Sequence, residues 1–144
     1  MVVERDTETL ELARRTCAAY PEIGLVRADA TALPVRAGAA DVVTASLTLH
    51  HLEPDEAVAG LREMAAVGRA VVVNDLLRTR ASLGLVWLAT RLLRCHPIAR
   101  HDGPLSVRRA YTCAEIRTLA EKAGLRRFEV REYPIVGRLV AVTT

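Results

Sequence analysis

Hydrophobic and polar positions along this chain follow two rhythms, helical and strand-like, that take turns from end to end. From Thr7 to Ala19, the residues Leu10, Leu12, Ala13 and Cys17 form an apolar helical stripe, Asp6 stands at the N-cap position, and Pro21 and Gly24 close the segment. Ile23 to Ala28 reads as a strand with Asp29 at its carboxyl end, and a loop from Ala30 to Ala40 carries Pro34 and Gly38. Val42 to Leu47 is apolar nearly throughout, as expected of a strand covered on both faces. Pro54, Asp55 and Glu56 open a helix that runs to about Val67 and stops at Gly68. Ala70 to Val73 is a second continuous strand-like run, closed by Asn74 and Asp75, and Met1 to Glu4 is a short apolar stub ending in acids.

The second half predicts a helix near Ser82 to Arg94, with Trp87, Arg91 and Arg94 on one face and Leu83, Val86, Ala89 and Leu93 on the other, a stripe expected to face a core. Ala99 to Thr112 reads as a long loop, and Thr112 with Glu115 then forms a capping-box spacing for a helix to about Ala123, stopped by Gly124. Phe128 to Tyr133 alternates cleanly, Pro134 breaks it, and Val136 to Val142 follows, so the last two strands are expected to be antiparallel. Together these elements predict one α/β domain over residues 1–144, a Rossmann-like, mostly parallel sheet with an antiparallel C-terminal strand pair. In such sheets ligands bind beyond the carboxyl ends of the strands, which directs attention to Glu4, Asp29, the Ser46–His51 segment, Asn74 and Asp75.

Composition narrows the picture. With 144 residues, 51% of them hydrophobic, the chain is sized for a single domain, and disorder throughout is excluded. The longest apolar run, Leu83 to Leu93, contains Arg91 and is too short to span a bilayer, while Glu4, Arg5, Asp6 and Glu8 argue against a signal peptide. Five scattered aromatics make no base-stacking platform, so no nucleic-acid partner is expected. Charge is uneven: residues 1–75 hold seven arginines against twelve acids, whereas residues 78–109 hold seven arginines against Asp102 alone. Such a patch suits an acidic substrate, a phosphate or a lipid surface, or is simply a solvated face. Cys17, Cys95 and Cys113 show neither disulfide nor metal-ligand spacing, so no metal is expected and a reducing cytoplasm fits. Cys113 lies just inside a helix start, where the dipole lowers a thiol pKa unless the group is simply buried.

Glu4 and Asp29, each at a strand end and about 25 residues apart, carry the first chemical signal. A carboxylate at the first position can accept both hydroxyls of a ribose, and one at the second can accept from an exocyclic amine such as that of adenine. Here the stretches VVERDTETLELARR, VRADATALPVRAGAADVVTASLTLHHLEP and LREMAAVGRAVVVND resemble the class I S-adenosylmethionine-dependent methyltransferases, most nearly the ubiquinone/menaquinone-biosynthesis-like group. The resemblance covers residues 1–75 by motif, most specifically in DVVTASLTLHHL, and the remainder by element order. It implies S-adenosyl-L-methionine as cofactor, with Glu4 at the ribose, Asp29 and Ala30 at the adenine, and Ser46 and Leu47 beside its methionine end. His50 and His51 match the HHL near the substrate: His50 is the candidate base, and His51 either meets the substrate or packs the following helix.

Arg100, His101, Arg108 and Arg109 fall in the segment that, by the same resemblance, covers the substrate. Residues 1–75 would then be the cofactor side, 76–111 the Arg-rich cover, and 112–144 the closing helix and strand pair. The resemblance also exposes a departure: the family's Gly-rich loop and central first strand are absent, and no Gly-x-Gly occurs in the sequence. Three outcomes are compatible: the neighbouring strands pair directly, the sheet has a gap, or the chain is an N-terminally truncated part, about two-thirds of a larger enzyme, which is the expectation taken here. The implied function is methyl transfer to a small-molecule acceptor, phenolic, quinone-like or polyketide-like. The alternatives are a non-catalytic module that self-associates through an unpaired sheet edge, or another nucleotide binder such as a dehydrogenase. The helix near Ser82 to Arg94 also allows peripheral membrane contact.

Overall fold

The structure, a computed structural model, describes residues 1–143. Among these residues the order is β1 (Val2–Glu4), α1 (Thr7–Thr16), β2 (Leu25–Arg27), β3 (Ala40–Ser46), α2 (Pro54–Val67), β4 (Gly68–Leu76), α3 (Arg80–Leu92), α4 (Pro97–Arg109), α5 (Cys113–Ala123), β5 (Phe128–Tyr133) and β6 (Arg138–Thr143). Short helical turns, Leu49–His51 and Pro134–Val136, lead from β3 toward α2 and from β5 into β6. The caps read from the sequence do their work. Asp6 accepts from the Thr9 N–H at 2.8 Å, Thr112 and Glu115 satisfy each other's backbone N–H groups, and Gly124 closes α5 in the left-handed region at φ 88°.

The fold is α/β, as expected. β1 runs parallel to β2 and β3 parallel to β4, while β6 lies antiparallel to both β4 and β5. The strands form two sheets, β1–β2 and β3–β4–β6–β5. Among the described residues β1 and β3 do not pair, so of the expected outcomes a direct ladder between them is not what forms. The β1–α1–β2 unit is clasped to the rest by the loop after β2. The Leu33 N–H donates to Glu63 at 2.8 Å, the Gly38 N–H to the Ala66 carbonyl at 2.8 Å, and the Ala30 carbonyl lies against Gly60.

One face of the four-stranded sheet carries the core, where Ala45, Val71, Val73, Leu139 and Ala141 meet Leu61 and Met64 of α2 and Ile116, Leu119 and Ala120 of α5. On the opposite face of β3, Val42 is 53% exposed, with Thr44 and Ser46 also in the open. Continuous apolarity in this strand therefore does not mean coverage on both sides.

Two expectations from the second half are corrected. The segment Ala99 to Thr112 is mostly helix, not loop. Pro97 occupies the first turn, where no N–H is needed, and Gly103 lets α4 lie close on α3. A Cβ at Gly103 would stand 3.0 Å from Val86 and 3.5 Å from Thr90, and Pro104 beside it is buried, so the pair marks a close helix crossing. In α3 the expected core stripe is only half-buried at Leu83, Val86 and Ala89, and Leu93 just beyond it is 76% exposed. Among the described residues no helix is long and apolar enough to cross a membrane.

The junction of α2 and β4 has no connecting residue, because Gly68 follows directly on Val67 and begins the strand. A Cβ there would meet the Val43 side chain at 2.7 Å and the Ala70 carbonyl at 2.9 Å. Gly68→Ala is expected to lower stability by about 1–3 kcal/mol through overpacking. The urea midpoint measures it, and an unchanged midpoint would mean that β4 shifts freely at its start.

Candidate functional site

Strand pairing brings the two acids together. Glu4 lies opposite Arg27 in the β1–β2 register, and the Ala28 N–H donates to the Glu4 carbonyl at 3.1 Å, so Glu4 and Asp29 end adjacent strands. Glu4 Oε1 accepts from the Asp6 N–H at 2.8 Å. Asp29 Oδ1 accepts from the Thr31 N–H and hydroxyl at 2.9 and 2.7 Å, and Oδ2 from Arg5 at 3.3 Å. Hydrogen bonds from Thr31, its N–H above all, hold the Asp29 carboxyl below its ordinary range against a small opposing effect of burial. The Arg5 contact is solvent-exposed, so a ligand amine can displace it at little cost. Ala30 borders an apolar cavity of about 30 Å³ with Ala45, Leu49 and Leu61, too small for a nucleobase. The residues present thus fit the nucleoside end of S-adenosylmethionine at its polar edge. For the amino-acid end, the sequence holds no Gly-x-Gly loop to offer a backbone cradle.

At the end of β3 the chain turns sharply. The Ser46 hydroxyl accepts from the Asn74 amide at 3.2 Å, and the Leu47 N–H donates to the Asn74 carbonyl at 2.8 Å. Leu47 sits in the left-handed region at φ 53°, a conformation that costs a non-glycine residue about 1–2 kcal/mol. The turn that follows buries His50, only 6% exposed, with Nδ1 2.6 Å from Asp75 Oδ1. Asp75, 2% exposed, also accepts from the N–H groups of Leu49 at 2.7 Å, His50 at 3.3 Å and Leu76 at 2.6 Å. Burial pulls the Asp75 carboxyl upward, but the hydrogen bonds from His50 and Leu76 more than offset it and leave the group below its ordinary value. A carboxylate facing Nδ1 makes that nitrogen the donor and leaves Nε2 as the basic one.

Asp75 is the candidate site residue that sequence reasoning noted only as a strand end. The signal for it is the parallel alignment: Ser46 pairs with Asn74, so whatever follows Ser46 turns over the end of β4. His51 is exposed and tilted against His50, with ring centroids 4.1 Å apart. Burial first, and then the neighbouring His50, lower its imidazole pKa.

The expected basic cluster is divided by α4. Arg109, in its last turn, is near enough to His51 to oppose protonation there. Arg108 is an exposed neighbour, while Arg100 and exposed His101, the latter 3.0 Å from Asp102, lie about 13 Å back along the helix axis. Cys113 follows the buried-thiol alternative rather than the helix-start one: burial, reinforced by Glu132, pushes its thiol up to about 11.

A family model described as a methyltransferase domain matches residues 1–70. No curated protein matches the sequence. Among solved structures the chain resembles a protein from Bordetella parapertussis described as a possible exported protein, with 19% identity, TM-score 0.65, and coverage of 97% of this chain and 51% of that one. A SAM-dependent methyltransferase from Aquifex aeolicus shares 16% identity at TM-score 0.65, covering 99% of this chain and 67% of that one. The CMeT domain of the citrinin polyketide synthase shares 9% identity at TM-score 0.67, covering 97% of this chain and 37% of that one. At these identities the likeness establishes the fold alone, α/β and Rossmann-like. The chain spans about half the length of the Bordetella protein.

The depressed Asp75 carboxyl makes a pH prediction. Its contribution to stability is present above the unfolded value of about 3.9 and is lost as pH falls through the lower folded value. Asp75→Asn should cost about 2–3 kcal/mol at pH 7. Thermal melts from neutral to acid pH should show the difference between wild type and variant shrinking below about pH 4. A difference that stays constant would remove the ionised carboxylate from the account.

Proposed function

We propose that this chain carries the nucleoside-binding and acceptor-activating parts of an S-adenosylmethionine-dependent methyltransferase whose acceptor is a small molecule with a proton to lose. The observation that carries the reading is the buried His50–Asp75 pair at 2.6 Å, set at the carboxyl ends of parallel strands. The methyltransferase-domain match over residues 1–70 supports it, as do the acids Glu4 and Asp29 at the ends of the neighbouring strands. The cofactor, when bound, supplies an electrophilic methyl group on sulfur. Asp75 fixes the His50 ring, makes Nε2 the proton acceptor and stabilises the imidazolium that forms as a phenol, hydroxyl or acidic C–H of the acceptor is deprotonated. Glu4 would hold the ribose, Asp29 and Ala30 the adenine, and Ser46 and Leu47 the methionine end of the cofactor. Arg109 and His51 flank the acceptor's path, with exposed Arg108 beside them, while Arg100 and His101 stand apart from it along α4.

A second reading rests on the gap between the sheets. β3 presents an unpaired edge with Val42 more than half exposed, a template on which another strand can add. On this reading the chain works by association with a partner or a second copy and performs no catalysis alone. Calorimetry with S-adenosylhomocysteine separates the two. Micromolar binding that disappears in Asp29→Ala supports the enzyme, and no binding by the folded chain rejects it in favour of the module. Where turnover is measured, His50→Gln should lower kcat by about 10²–10⁴-fold and leave S-adenosylhomocysteine affinity unchanged. An unchanged kcat would reduce His50 to a packing residue.

A further inference from the structure

The helices α3 and α4 form a hairpin whose root and tip differ in character. At the root, Arg78 reaches Glu115, and Ser82, Pro104 and Val107 are buried. At the tip the side chains are apolar and stand clear of the protein: Leu92 is 71% exposed, Leu93 76% and Ile98 64%. Leu85 and Leu88, at 53% and 47%, continue the Leu92 row along α3 at helical spacing. Trp87, half exposed, lies beside this row with the Arg91 guanidinium 4.0 Å from its ring centroid.

We propose that the tip of the α3–α4 hairpin is a docking surface for an anionic lipid bilayer, entered at the interface without crossing it. The proposal is independent of the methyltransferase reading. Charge selects the occupant. Exposed Arg91, Arg94 and Arg100 surround the apolar residues, and Asp102, the one acid in residues 78–109, faces His101 at 3.0 Å. A second copy seated on the same tip would bring arginine against arginine, which is repulsive, whereas phospholipid phosphates meet all three. Shape points the same way. Leucines exposed to this degree at a helix–helix turn protrude, and a protruding apolar tip needs a deformable medium rather than a matching hollow. The 13 residues of α3 span about 20 Å, enough to lie in the headgroup region and too few to cross the hydrocarbon. Tryptophan with flanking arginines is the composition that settles at that depth.

Trp87 is the only tryptophan in the chain, so its fluorescence reports on this surface alone. The experiment mixes the full chain with vesicles of phosphatidylcholine alone or with added phosphatidylglycerol, and follows Trp87 emission and co-sedimentation. Expected are a blue shift and co-sedimentation with the anionic vesicles only, reversed by salt. Arg94→Gln should weaken partitioning by roughly fivefold. Leu92→Ser combined with Leu93→Ser should weaken it by about tenfold or more. These positions are exposed, so circular dichroism should be unchanged, and Leu12→Ser, another exposed leucine on α1, serves as the control that leaves binding intact. The proposal is overturned by failure to bind anionic vesicles or by equal binding to phosphatidylcholine alone. Binding insensitive to the paired leucine substitution would also overturn it. So would a vesicle-free dimer whose dissociation by that substitution removes the blue shift, assigning the tip to a second copy.

Discussion

One buried carboxylate organises the candidate site. Asp75 accepts four hydrogen bonds, three from backbone N–H groups and one from the His50 ring, so the charge is fully satisfied although 2% of its surface is exposed. Its two oxygens divide the labour: Oδ2 holds the backbone of the turn at Leu49 and His50, and Oδ1 holds the imidazole and the Leu76 N–H. Remove this group and the turn after β3 loses its anchor together with the ring. The Leu47 backbone, held in an uncommon conformation, is one cost of bending the chain back over the end of β4.

The second constraint is topological. A parallel pair on one side and a mixed four-stranded sheet on the other are linked through loop contacts to α2, with no backbone ladder between β1 and β3 among the described residues. The acids at Glu4 and Asp29 ride on the smaller sheet, while the histidine and its carboxylate belong to the larger. A nucleoside bound at the first and an acceptor activated at the second would be brought into register by the Ala30–Gly60 contact and the Leu33–Glu63 hydrogen bond.

Much of the fold was legible because local signals and tertiary structure agree. The helix from Pro54 to Val67, the Thr112–Glu115 cap and the Gly124 stop read directly from residue type and spacing. The same holds for the antiparallel ending split at Pro134. The misreadings share a cause in tertiary contact. Gly103 and Pro104 look like a loop until α3 is there to receive them, and the half-exposed β3 looks covered because its sequence is apolar throughout. For the site, residue type singled out His50 and the two acids. Its pairing with Asp75, 25 residues on, depends on strand register, which spacing along the chain does not encode. Arg100 and Arg109 looked equivalent by charge, and only the helix between them shows that one meets the histidine turn and the other does not.

The direct passage from α2 into β4 at Gly68 has a mechanical consequence. A helix and a strand joined through a loop can slide independently, but here the two form one lever with no slack. Midway along the helix Gly60 and Glu63 touch the loop that carries Ala30 and Leu33, and near the end of the strand, seven residues past Gly68, stands Asp75. The loop at Ala30 and Leu33 and the carboxylate that aims the His50 ring are thus joined through one continuous helix–strand segment.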